Sequence, residues 1–314
     1  MGKIVFTFPG QGSQTVGMLK ELYDNYDCVK DVFKRADEAL GFSIKQMCFE
    51  GPEDQLRLTY NTQPAILTAS VAVAEVLKEK GITPDIVAGH SLGEYSALVI
   101  AGVLSLEDAV CIVRKRGQYM QEAVPVGEGS MAAILGLDSD IIVEVCKSIE
   151  NSNEGIVQAV NFNCPGQVVI AGSVAGVDAA VVKLKEKGAR RAVILPVSAP
   201  FHSSLMKPAS ERLAKLFETI EFKDAKIPVV ANVTAKEVTA ANDIKELLIR
   251  QADSPVLWEE SVNYMLENGV DKFVEVGPGK VLSGFTKKIN RSIKPLNVDD
   301  LKSLEKTLNF FEEC

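Results

Sequence analysis

Apolar and polar positions alternate between two kinds of segment along the chain. Lys3–Phe8 is a short apolar run that predicts a buried strand, and it feeds a glycine-rich loop, Pro9-Gly10-Gln11-Gly12-Ser13-Gln14. Helical spacing follows around 18–40, and 63–80 predicts a long apolar-rich helix closed by Gly81, with Pro84 beyond it. Ile86–Gly89 predicts the next strand, 92–102 a helix and Leu106–Glu122 an amphipathic helix. Strands that alternate with helices predict an α/β fold, a mostly parallel sheet covered on both faces.

The middle of the chain has another order. The pattern predicts strands at 131–137, 157–163, 168–171 and 191–197, with helices at 139–150 and 174–188. That succession, βαββαβ, is the ferredoxin-like arrangement. Gly127-Glu128-Gly129 and Ser198-Ala199-Pro200 read as boundaries. A small domain at 128–198 is therefore expected inside a discontinuous large domain, 1–127 and 199–314. The large domain resumes with strands at 227–233 and 273–276.

Composition narrows the function. The 314 residues are 46% hydrophobic and 24% charged, as in an ordinary globular protein. The net charge of −8 argues against nucleic acid as a partner. No apolar run reaches the length of a membrane helix, and the N-terminus lacks the form of a signal peptide. The cysteines (Cys28, Cys48, Cys111, Cys146, Cys164 and Cys314) form no CxxC pair, so reduced thiols in a cytoplasmic protein are expected. His90 and His202 are the only histidines, too few for an ordinary zinc site, and no bound metal is expected.

The candidate chemistry lies in Gly89-His90-Ser91-Leu92-Gly93-Glu94-Tyr95. A Gly-x-Ser-x-Gly run between a strand and a helix sets its serine on a sharp turn at a helix N-terminus, where developing negative charge is favoured. Ser91 is the candidate nucleophile, and Leu92, the next residue, the natural first oxyanion donor through its backbone N–H. His90 adjoins Ser91, and consecutive side chains at a strand end diverge, which leaves His202 as the candidate base.

Four further segments accompany this turn: Phe8-Pro9-Gly10-Gln11-Gly12-Ser13-Gln14, Arg114-Lys115-Arg116-Gly117-Gln118-Tyr119-Met120-Gln121, Pro200-Phe201-His202-Ser203 and Glu275-Val276-Gly277-Pro278-Gly279-Lys280-Val281-Leu282. In this order and spacing, from about residue 4 to about residue 290, the chain resembles the malonyl-CoA:acyl carrier protein transacylases, a family that includes the acyltransferase domains of polyketide synthases. The resemblance implies an α/β-hydrolase-like large domain with the ferredoxin-like insertion. It implies ping-pong transfer from malonyl-CoA, through a malonyl-Ser91 ester, to the phosphopantetheine thiol of acyl carrier protein, feeding fatty acid biosynthesis, with no permanently bound cofactor. It also implies that the Gln251 carbonyl orients His202, that Gln11 N–H is the second oxyanion donor, that Arg116 clamps the malonyl carboxylate, and that Gln63 and Asn163 lie near the substrate.

Other readings stay open at this stage. Without the resemblance, Arg114, Lys115 and Arg116 are a solvated helix face, and His202 is a packed histidine after a turn. Phe201 either excludes a methyl branch on the acyl group or simply packs in the core. Glu275–Leu282 is adequately explained as a tight turn. Docking an acidic carrier to an acidic chain requires a local basic patch. Lys183, Lys185, Lys187, Arg190 and Arg191 form one candidate, and Lys287, Lys288, Arg291 and Lys294 another, each also readable as a solvated face. A serine hydrolase using the same Ser–His pair is the alternative enzyme, and a non-catalytic carrier-binding scaffold the alternative outside catalysis. A monomer is expected, because no dimer seam stands out.

Overall fold

The computed structural model describes residues 2–197 and 199–313. Ser198, placed above in a boundary, and Cys314 lie outside the described residues. Two sheets organise the chain. The larger has six strands in the order β10-β9-β1-β2-β7-β8. These are β1 (Lys3–Phe8), β2 (Ile86–Gly89), β7 (Val229–Ala231), β8 (Lys236–Val238), β9 (Val270–Val276) and β10 (Leu296–Val298). All neighbours pair in parallel except β8, which runs antiparallel to β7. The inner strands are apolar runs because helices cover both faces; β2, Ile-Val-Ala-Gly, is buried throughout.

The second sheet is antiparallel, in the order β4-β5-β3-β6. It comprises β3 (Gly129–Leu135), β4 (Val157–Cys164), β5 (Gln167–Ser173) and β6 (Arg191–Ile194). Helix Ser139–Asn151 lies between β3 and β4, and helix Val174–Glu186 between β5 and β6. Their apolar faces, including Ile142, Ile149, Val177 and Leu184, close a separate small core with Ile134 and Ile170. The antiparallel sheet is tied to the segment before helix Trp258–Glu267, where Val256 accepts from Phe162 N–H at 3.0 Å and donates to the Val160 carbonyl at 2.8 Å.

Several boundaries depart from the hydrophobic pattern. The helix expected at 63–80 is Thr59–Glu79, because its first turn is built from the buried polar residues Thr59, Asn61 and Thr62, which a hydrophobic count misses. The strand expected at 191–197 ends at Ile194, and Leu195 and Val197 leave the sheet to line a cavity. The first strand of the antiparallel sheet begins at Gly129 rather than 131. The short strands β8 and β10 were not predicted. Among the described residues no helix is long and apolar enough to cross a membrane, and Cys28, Cys48, Cys111, Cys146 and Cys164 are free thiols.

Candidate active site

Strand register builds the site. Phe8 of β1 stands opposite Gly89 of β2, so the loop after β1 and the turn after β2 leave the sheet side by side at its carboxyl edge. Ser91 occupies that turn at φ 51° and ψ −106°, a conformation costly for any residue bearing a Cβ. Neighbours hold it there. Its N–H donates to Asn232 Oδ1 at 2.7 Å, and Asn232 Nδ2 donates to the Gly89 carbonyl at 2.6 Å. Asn232 arrives because β7 pairs with β2, Val230 opposite Ala88, and the chain leaves β7 immediately before it. Gly93 packs against the Phe8 carbonyl so closely that any Cβ would collide.

His202 meets this turn from the other side. Its Nε2 lies 2.7 Å from Ser91 Oγ and its Nδ1 2.8 Å from the Gln251 carbonyl oxygen. A carbonyl only accepts, so Nδ1 carries the proton and Nε2 is free to accept from the serine hydroxyl. The ring is buried, and burial, then the nearby Arg116 charge, push its pKa down to about 3 against the opposing Gln251 carbonyl. At neutral pH His202 is therefore an unprotonated base. His90, as its position predicted, points elsewhere: its Nε2 lies 2.8 Å from Asn163 Oδ1.

Arg116 is no solvated residue. It is 1% exposed, and Nη2 donates to Ser91 Oγ at 3.1 Å and to Gln251 Oε1 at 2.8 Å. Nη1 donates to Gln63 Oε1 at 2.8 Å, Nε has no acceptor, and the guanidinium lies 5.4 Å from the Tyr95 ring centre. Gln63 reaches it because the helices Thr59–Glu79 and Leu106–Glu122 touch at Gly117, where an added Cβ would stand 2.6 Å from Tyr60 Cα. No carboxylate pairs directly with this buried cation among the described residues. Arg114 is half-buried, donating to Asn61 Oδ1 at 3.1 Å and stacking on Phe42, and Lys115 is the exposed member of the run.

Two site residues escaped the sequence reading, Asn232 and Glu94. Glu94 is buried on the first turn of the helix that follows Ser91. Its Oε2 accepts from Gln251 Nε2 at 2.9 Å and from Asn232 N–H at 3.2 Å. Burial pushes its carboxyl pKa up to about 7, opposed by those two bonds and by the Arg116 charge. Its place in Gly-x-Ser-x-Gly-Glu was the available signal; Asn232 had none, being selected by the β2–β7 register.

The cavity in front of Ser91 encloses about 110 Å³. Gln11, Leu92, Gln63, Arg116, Phe201 and His202 line it, with Met120, Met131, Leu195 and Val197 as the apolar wall. Among the described residues the backbone N–H groups of Gln11 and Leu92 have no acceptor, as donors kept for an oxyanion would. Asn163 does not line the cavity, contrary to the place expected for it; it is buried behind His90, and Asn161, earlier on β4, lines the wall instead. The two basic runs meet outside, where Arg190, Arg191 and Lys288 line one groove, whereas Lys183 pairs with Glu154 at 2.7 Å.

Known proteins resemble this chain in sequence and fold. The family model described as acyl transferase domain matches residues 5–305. The malonyl CoA-acyl carrier protein transacylase of Bacillus subtilis (strain 168) is 53% identical over 313 residues, covering 100% of this chain and 98% of its own. That of Haemophilus influenzae is 49% identical over 312 residues, with 99% of each chain covered. Among solved structures, an acyl carrier protein S-malonyltransferase from Vibrio cholerae superposes with a TM-score of 0.94 at 48% identity, covering 97% of this chain and 99% of that one. A malonyl-transacylase in complex with its holo type II PKS acyl-carrier protein gives 0.95 at 46% identity, covering 98% and 99%.

Proposed function

The chain belongs to the acyl transferase domain family, and from that premise we propose that it moves a malonyl group from malonyl-CoA to the phosphopantetheine thiol of acyl carrier protein. Ser91 Oγ attacks the thioester carbonyl while its proton passes to His202 Nε2. The N–H groups of Leu92 and Gln11 stabilise the oxyanion. Collapse breaks the C–S bond, the coenzyme A sulfur takes the proton from His202, and a malonyl ester remains on Ser91. The carrier thiol then gives its proton to His202 Nε2 and attacks the ester, and collapse returns the proton to Ser91 Oγ. His202 starts and ends each half-reaction neutral, in keeping with its depressed pKa.

The observation that carries this reading is the buried guanidinium of Arg116, 3.1 Å from the nucleophile and without a carboxylate partner. Malonyl differs from acetyl by a carboxylate that a guanidinium can grip with two parallel hydrogen bonds. No observation favours the hydrolase. The strand order and connectivity of the antiparallel sheet support a ferredoxin-like insertion at 128–198 in an α/β-hydrolase-like domain formed by 1–127 and 199–314. Met131 and the segment with Leu195 and Val197 then give that insertion a task, walling the acyl pocket. The groove of Arg190, Arg191 and Lys288 suits an acidic carrier. A cytoplasmic monomer without a bound cofactor completes the reading.

Intact-mass measurement after brief exposure to malonyl-CoA and acid quench tests it. One malonyl adduct on Ser91 that moves to added holo carrier is expected. An adduct lost equally fast without carrier would indicate a hydrolase instead.

A further inference from the structure

Gln251 serves the site twice. Its backbone carbonyl accepts from His202, and its side-chain amide ties three other groups together. Oε1 accepts from Arg116, while Nε2 donates to the Ser91 carbonyl at 2.8 Å and to Glu94 Oε2 at 2.9 Å. The chemistry fixes that orientation. A reversed amide would set NH2 against a guanidinium and its oxygen against a carbonyl and a carboxyl oxygen, losing all three bonds. Glu94 is the one side chain among these acceptors, is 3% exposed, and does not line the cavity. The same Oε2 accepts from Asn232, whose side chain holds the Ser91 N–H.

We infer that Glu94 is a positioning residue for acyl-group selection, setting through the Gln251 amide the angle at which Arg116 meets the substrate carboxylate. This rests on Arg116 being the carboxylate clamp. Glu94 does not line the cavity; hydrogen bonds tie it to Arg116 through Gln251 and to the Ser91 turn through Asn232. The first route changes selectivity between acyl groups, and the second slows every acyl group alike.

The test compares kcat/KM for malonyl-CoA and acetyl-CoA in Glu94→Ala, Gln251→Ala and the double variant, all of which keep the residue 251 carbonyl for His202. Glu94→Ala should lower the malonyl-over-acetyl preference about tenfold, mainly through the malonyl KM. The double variant should lose no more preference than Gln251→Ala alone. Equal losses for both acyl groups in Glu94→Ala, or additive loss of preference in the double variant, would overturn the inference. Should Glu94→Ala not fold, Glu94→Gln decides: a drop in preference of about threefold is expected, because a neutral amide orients Gln251 less firmly, and an unchanged preference overturns it. Arg116→Ala separates the two levels. Unchanged preference there removes the clamp itself, whereas lost preference there with intact preference in the Glu94 variants removes only the Glu94 link.

Discussion

Replacing Arg116 by alanine removes a cation that donates to Gln63, Gln251 and Ser91 from a fully buried position. A malonyl carboxylate would accept two charge-assisted bonds from it, each contributing about 1.5–3 kcal/mol, or about 3–6 kcal/mol together. Gln63 must release the guanidinium to make room, which returns about 1 kcal/mol. The net, about 2–5 kcal/mol, corresponds to a loss of roughly 30-fold to several thousand-fold in malonyl kcat/KM. Acetyl carries no carboxylate and escapes this term. Both acyl groups share the remaining effects, the lost donor on Ser91 Oγ and a rise in the His202 pKa once the positive charge is gone. The ratio of the two specificity constants therefore isolates the clamp. Steady-state transfer to holo carrier from each donor reads it, with thermal denaturation alongside, because Gln63 Oε1 and Gln251 Oε1 are left without their donor at about 1–3 kcal/mol each. Arg116→Lys should restore little, since an ammonium offers a point charge in place of a planar fork. Malonyl and acetyl transfer falling by the same factor would refute the reasoning.

His202 should show no acid limb near its ordinary value of 6.5 in the pH profile of Ser91 acylation, because its pKa lies at about 3; a limb centred near 6.5 would contradict the burial argument. Its folded pKa lies below the unfolded one, so the unfolded chain takes up the proton first and stability falls as pH drops from 6.5 toward about 3, as pH-dependent denaturant midpoints would record. Phe201→Ser opens the cavity wall beside His202 and should raise methylmalonyl relative to malonyl transfer; unchanged discrimination would make the ring plain packing. Glu275→Ala deprives Leu282 and Ser283 N–H, at the start of helix Val281–Ile289, of carboxylate bonds at 3.0 and 2.7 Å. It should cost about 2 kcal/mol of stability in chemical denaturation while leaving malonyl transfer per folded molecule intact.

Local signals carried Ser91 and its turn. Strand, glycine, serine, glycine and helix lie within one short stretch, and each part is legible without knowing what lies across the sheet. His202 was legible by scarcity, since its only rival adjoins Ser91 in the chain. Arg116 shows the opposite case. Its neighbour Lys115 is exposed and Arg114 half-buried, and a run of three cations on a helix reads as solvated until Gly117 is seen to let a second helix close over Arg116. Leu195 and Val197 read as strand because they are apolar, yet they serve as the ceiling of a pocket.

The residues that stayed hidden are those whose role exists only after pairing. Asn232 is the residue after a three-residue strand, and nothing in Val-Val-Ala-Asn says that the strand lies beside β2 rather than at an edge. Once that register is set, its side chain is the one placed to satisfy both the Ser91 N–H and the Gly89 carbonyl, which a positive-φ turn leaves without helix or sheet partners. Glu94 follows the same logic one step further, because a buried carboxyl is tolerated only where donors converge on it, and its donors come from Asn232 and Gln251, 138 and 157 residues away in sequence. A serine at a strained turn thus needs long-range polar partners to persist, and these partners are what a single sequence conceals.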